Sequence, residues 1–292
     1  DTSVDTDTAN DVAADEAAYL AAKAIYDQNY WADAQGAFAQ FLLDYPSSER
    51  ADDATYWSCL CQYRLDLYTD AKASLIAFQS TYPDSVYFDN AKCYQGQCEY
   101  QLGDYKTASA TLADFVFYYP TSTLIDAGFY YLGSSYYQLK SFANAADAFN
   151  SLVAITDTTY RDSGLYWLGR TQLDWAIVTT IADPVHLDAA EVAFTQLFFE
   201  YPTSSRVDNG KYYHGKCAYE RGQFAEAVIR FTDVMTNYPA SIYYDNAWYY
   251  RAHSKYLADL FTDAIADFVA FANEPSHVGS IYMDNTSYFT GR

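Results

Sequence analysis

Residues 208–239 read DNGKYYHGKCAYERGQFAEAVIRFTDVMTNYP, and their spacing decides the fold. Tyr212, Gly215 and Tyr219 recur at helical intervals before Gly222 breaks the pattern. Phe224, Ala227, Val228, Phe231 and Val234 resume it as an apolar stripe at i, i+3, i+4, i+7. Pro239 stops that stripe, since proline has no N–H and its ring clashes with the preceding turn. Two short helices with so brief a break lie antiparallel. Neither buries its stripe alone, so such a pair is stable only when stacked on others.

The same pattern recurs along the chain. Tyr-Pro occurs at Tyr45-Pro46, Tyr82-Pro83, Tyr119-Pro120, Tyr201-Pro202 and Tyr238-Pro239. An Asp opens each aromatic-rich segment at Asp15, Asp52, Asp89, Asp126, Asp162, Asp208, Asp245 and Asp284, with gaps of 37, 37, 37, 36, 46, 37 and 39. A carboxylate in a first turn is favoured by the helix dipole. Ser48, Ser85, Ser122, Ser204, Ser241 and Ser280 stand four residues before that Asp and are expected to be helix N-caps. The unit from Asp162 has about nine extra residues between its helices, around Trp175 to Leu187.

Counting positions from each Asp, the unit resembles a tetratricopeptide repeat, a helix-turn-helix of about 34 residues. The family's small residue at position 8 matches Ala22, Cys59, Gly96, Gly133, Gly169, Gly215, Ala252 and Gly291. Its alanine at position 20 matches Ala34, Ala71, Ala108, Ala145, Ala190, Ala227 and Ala264, and its large residue at position 24 matches Phe38, Leu75, Leu112, Phe149, Phe194, Phe231 and Phe268. The proline of position 32 matches the five Tyr-Pro prolines, with Asp157 departing from it. The resemblance implies an all-α fold, a right-handed α-solenoid of stacked antiparallel helix pairs. It covers residues 11–292 as seven helical hairpins and an incomplete eighth unit, after a flexible acidic arm at 1–10. The Tyr-Pro-x-Ser and Asp-Asn-Ala-x-Tyr style resembles bacterial cell-envelope members, such as the Tol-Pal-associated protein and outer-membrane assembly lipoproteins. That resemblance implies export to the periplasm, the outer membrane or the exterior, and a protein or peptide partner.

The sequence holds 32 Tyr, 18 Phe and 5 Trp. Position 5 is Tyr19, Tyr56, Tyr130, Tyr166, Tyr212, Tyr249 and Tyr288; position 12 is Tyr26, Tyr63, Tyr100, Tyr137, Tyr219 and Tyr256. Seven residues apart, they share one helix face. In the family that face, with positions 2, 9 and 13, lines the concave groove. The resemblance therefore implies a partner site built on those tyrosines, with Asn209 and Asn246 at position 2 and Arg170 and Lys216 at position 9. Tyrosine offers large contact area at low entropic cost. An alternative stays open: the rings stack between successive first helices and stiffen the solenoid. Position 6, from Trp57 to Phe289, is expected to face the core.

Composition narrows function further. A net charge of −21, from 38 acidic and 17 basic residues, opposes binding to nucleic-acid backbone or anionic lipid. Half the residues are hydrophobic, which excludes a mostly disordered chain. No run of 18 apolar residues occurs. No phosphate loop, G-x-S-x-G or H-E-x-x-H is present, and the four histidines fall at unrelated positions, so neither catalysis, cofactor nor metal is expected. Cys61, Cys98 and Cys217 share position 10 and read as small packing residues, with a Cys61–Cys98 bridge conceivable only at unusually close approach. The last unit stops inside its first helix, with Tyr282, Tyr288, Phe289 and Gly291 present. Two expectations follow. One is a non-enzymatic protein-interaction scaffold; the other is a structural subunit that self-assembles head to tail through those residues into a filament, tube or ring.

Overall fold

The computed structural model describes residues 5–178, 182–274 and 280–290. The described residues form fifteen α-helices and no strand. They divide into two compact units, 1–140 and 141–292. The first holds α1 (Asp5–Asp27), α2 (Trp31–Asp44), α3 (Ala51–Arg64), α4 (Tyr68–Thr81), α5 (Phe88–Gln101), α6 (Tyr105–Tyr118) and α7 (Ile125–Gln138). The second holds α8 (Phe142–Ala154), α9 (Arg161–Ala176), α10 (Pro184–Glu200), α11 (Val207–Glu220), α12 (Phe224–Asn237), α13 (Tyr244–Leu257), α14 (Phe261–Asn273) and α15 (Met283–Thr290). Odd-numbered helices are the first of each repeat. Helix α1 begins at Asp5, inside the stretch read as an arm.

Close packing explains the small residues. Phe38, Leu112, Phe149, Phe194, Phe231 and Phe268 at position 24 are wholly buried, as are the alanines of position 20. A side chain at Gly215 would bring its Cβ to 2.7 Å from the Phe231 ring, and one at Gly96 to 2.5 Å from Leu112. Position 8 is small because position 24 occupies that space.

The hairpin turns share one device. Asn29, Asp66, Gly103, Lys140, Gly222 and Asp259 all have φ between 56° and 78°. Around Asn29, Asp66, Gly103, Gly222 and Asp259 the last turn closes in a Schellman pattern: Asn29 N–H donates to the Tyr26 carbonyl and Tyr30 N–H to that of Ile25; at Lys140 its own N–H donates to the Tyr137 carbonyl.

The serines do not cap helices as expected. The N-cap residue is Arg50, Tyr87, Leu124, Arg206 or Tyr243, without a side-chain cap bond. Ser48, Ser85, Ser122, Ser204, Ser241 and Ser280 instead accept, at Oγ, the backbone N–H two residues on. They fix the turn after Tyr-Pro, one step before the helix. The hydroxyls of Ser48 and Ser204 also donate to Asp15 and Asp162 of the preceding repeat at 2.6 Å. The repeated Asp thus ties neighbours together besides opening its own helix. In the long fifth repeat the extra residues are divided: α9 runs 16 residues, α10 runs 17, and a longer connection joins them.

Candidate functional site

Successive first helices meet through three rows of side chains. In the position-5 row, Tyr19, Tyr56, Tyr166, Tyr212 and Tyr249 are only 2–8% exposed. Tyr130 is half-buried, and Tyr288 is 81% exposed. What covers the buried rings comes from the next repeat, two residues before its Asp. Tyr87 stacks on Tyr56 at 4.3 Å, Tyr243 on Tyr212 at 4.6 Å and Tyr282 on Tyr249 at 4.2 Å, all within 15° of parallel. Where that residue is arginine, its planar guanidinium takes the same place: Arg50 lies 5.4 Å over Tyr19 and Arg206 5.6 Å over Tyr166. Where position 5 is Cys93, the covering position is Leu124, whose carbonyl accepts from the thiol at 3.9 Å. The stacking alternative therefore holds for most of position 5.

The second row joins position 12 of one repeat to position 6 of the next. Tyr26 meets Trp57 at 4.9 Å, Tyr63 meets Tyr94 at 5.0 Å, Tyr100 meets Tyr131 at 5.3 Å and Tyr219 meets Tyr250 at 5.1 Å. Position 6 thus lies in the seam between first helices, and its rings are mostly half-buried instead of sunk in the hairpin core. Tyr26, Tyr63, Tyr100, Tyr137 and Tyr219 are also half-buried, so each shows an edge or its hydroxyl. Tyr63 donates to Gln97 Oε1 at 2.9 Å, and Tyr219 Oη is hydrogen-bonded to His253 Nδ1 at 2.7 Å.

The third row carries charge. Lys23 Nζ lies 4.2 Å over Trp57, Arg170 Cζ 3.9 Å over Tyr213 and Lys216 Nζ 4.0 Å over Tyr250. Each cation is also paired with an acid one turn on: Lys23 with Asp27, Arg170 with Asp174 at 2.9 Å and Lys216 with Glu220 at 2.7 Å. Asn246 at position 2 donates to Tyr282 Oη at 2.7 Å, and Asn209 lies half-buried on the equivalent turn of α11.

The face is therefore a neutral mosaic: cations held on rings, acids beside them, and phenols between. Burial pushes the hydroxyl of Tyr19 up to about 12 and raises those of Tyr56, Tyr63, Tyr166, Tyr212 and Tyr219 as well. They stay protonated hydrogen-bond donors throughout the physiological range. Burial, with Lys216 adding to it, lowers His253. The five thiols are free and buried; burial raises them, with Cys98 at about 12, so they are unreactive packing groups. Among the described residues no cluster of His, Cys, Asp and Glu is arranged to hold a metal ion.

Of the end residues, Tyr282 is stacked on Tyr249 and Phe289 on Phe268 at 4.8 Å, while Tyr288 faces outward. Gly291 lies outside the described residues. The covering row of Arg50, Tyr87, Arg206, Tyr243 and Tyr282 was missed in the sequence reading. Its signal was a planar side chain two residues before the Asp, concealed by the exchange of Tyr for Arg.

Comparison with known proteins agrees with this geometry. The family described as YfiO, outer membrane lipoprotein, matches residues 58–207, and the tetratricopeptide repeat family matches 211–241. No curated protein sequence matches. Among solved structures, a tetratricopeptide repeat protein from Parabacteroides merdae is 15% identical over 95% of this chain and 99% of its own, with a TM-score of 0.57. The C-terminal part of a repeat protein from Cytophaga hutchinsonii is 15% identical over 90% and 99%, at 0.67. PilW, a type IV pilus biogenesis factor, is 15% identical over 78% and 96%, at 0.59. These similarities are of fold.

Proposed function

The chain belongs to the YfiO family of outer membrane lipoproteins, and from that membership we propose that it is a non-enzymatic scaffold of the bacterial cell envelope. In this reading it sits in the periplasm or at the outer membrane and holds a protein or an extended peptide along its first helices. No helix among the described residues is long and apolar enough to cross a membrane. The observation that carries the reading is the row of ring-mounted cations paired one turn on with carboxylates. Arg170 with Asp174 and Lys216 with Glu220 place a donor and an acceptor side by side on successive first helices, and the Tyr219 hydroxyl, hydrogen-bonded to His253, continues the row on to the next first helix. An extended chain offers alternating N–H and C=O groups to such a face, and the rings give it apolar contact. The buried position-5 tyrosines hold the rows in register.

A photo-crosslinking residue at Tyr26 or Tyr256 tests this in the native envelope. The expected result is a discrete adduct that weakens with Lys216→Glu and is absent when the crosslinker replaces Ala73 on a second helix. Equal adducts from both faces overturn the reading.

A further inference from the structure

We infer that the outward face of the second helices in the second unit, centred on α10, docks a basic amphipathic helix from a partner protein. This goes beyond the first-helix face and is independent of it. Val185, Val192 and Phe199 stand seven residues apart on α10 and are 69%, 66% and 87% exposed. Three apolar residues at that period form one stripe about 21 Å long, the length of four helical turns. A period of 3.5 fits a second helix crossing at about 20°. The opposite face of α10 already fills the core with Leu187, Ala190, Phe194 and Leu197. The stripe is thus surplus to folding. Beside it a shallow depression of about 530 Å³ opens between Val192 and Phe199, and Ile229 on α12, at the same repeat position as Val192, is 65% exposed. The first-unit residues equivalent to Val192 are the small Gly36, Ala73 and Ala110, whereas two equivalents of Phe199, Leu43 and Phe117, are each 75% exposed, so it is the continuous stripe, not each exposed apolar residue, that sets α10 apart.

Charge selects the occupant. Arg221 pairs with Asp188 at 2.7 Å, and Arg230 pairs with Glu191 at 2.8 Å and Glu226 at 2.7 Å. The arginines lie beneath, 20% and 17% exposed, while Asp188 and Glu226 are 69% and 44% exposed. The rim around the stripe is therefore exposed carboxylate over half-buried guanidinium. A second copy would bring the same acidic rim against this one, within a chain of net charge −21, so like charges oppose self-pairing here. An anionic lipid surface is opposed for the same reason. A helix with apolar residues every seventh position and Lys or Arg on its flanks satisfies both the stripe and the rim.

The test uses the full chain and a fluorescent three-heptad peptide with Leu at each seventh position and Lys flanks. Fluorescence anisotropy is expected to show micromolar binding that weakens with salt and falls at least about tenfold in Phe199→Ser and in Val192→Asp. Phe199 is on the surface, so Phe199→Ser keeps its helical circular dichroism even if Val192→Asp does not. Tyr256→Ala, on the other face, leaves the affinity unchanged; the first-helix reading stands or falls separately. Equal binding of a shuffled peptide with the same Lys content overturns the proposal. So does undiminished binding by Phe199→Ser, or a wild-type dimer that Phe199→Ser converts to monomer.

Discussion

The residue that bears the most strain is Lys140. A left-handed φ of 56° costs a side chain with a Cβ roughly 1–2 kcal/mol, and Asn29, Asp66 and Asp259 bear it more easily because their short polar chains bond locally. Lys140→Gly is expected to stabilise by about 1 kcal/mol, read as a higher urea midpoint, and Gly222→Val to destabilise by a similar amount. His214 makes a second residue-scale prediction. Burial first, then Arg230 and Lys211, push it down to about 3 from an ordinary 6.5. The folded state keeps the imidazole neutral where the unfolded chain takes a proton. Its contribution is complete above pH 6.5 and is lost as pH falls from there towards 3, at up to about 1.4 kcal/mol per pH unit. Urea titrations between about pH 7 and 5 check this: His214→Gln flattens the slope. At this scale the sequence was read unevenly. Gly222 announced its turn, but Asn29 and Lys140 did not, because any residue type can be forced left-handed when the helices on both sides are held by packing.

At the scale of the helix, close approach and ring stacking set the joints. Gly215→Ala places a methyl 2.7 Å from the Phe231 ring, which has no room to move, and is expected to cost about 1–3 kcal/mol by thermal melting. A double-mutant cycle on Tyr212 and Tyr243, each changed to Leu, is expected to give a coupling of about 0.5–1.5 kcal/mol. A coupling near zero would mean that the parallel stack adds nothing beyond burial. The helix pairs and their small residues were readable from period and composition because packing between adjacent helices repeats at fixed offsets. The joints between repeats were not: they depend on which side chain reaches across from the next helix, and Tyr, Arg and Leu do that job in turn. The serines misled for a related reason, since an Oγ before a helix serves a turn as readily as a cap.

For the molecule as a whole, the family and repeat fold were present in the eight Asp registers and the Ala and Phe columns. The candidate face was readable in part. Position 9 cations and position 12 phenols, which the resemblance assigns to a groove face, lie along the seams between first helices, whereas most position-5 rings are sealed by a neighbour. The stripe on α10 escaped notice because Val185, Val192 and Phe199 sit in a repeat whose altered length broke the alignment of columns. The acids run at one or two on most helices, with six on α1 and three on α10, and several of the basic residues are committed to internal ion pairs or ring contacts.

The covering residue before each Asp has a consequence for how such a chain lengthens and shortens over time. Tyr and Arg fit the same tyrosine, so a repeat brings along its own lid for whatever tyrosine precedes it. Excising residues 208–244 would leave Arg206 over Tyr166 and run directly into Asp245, with the junction chemistry intact. Among the joints described above, Cys93–Leu124 is matched as a pair and resists such shuffling. Gene duplication and loss can therefore rewrite the number of repeats without any compensating substitution, and lineages are expected to differ in repeat count more readily than in the Cys93–Leu124 pairing.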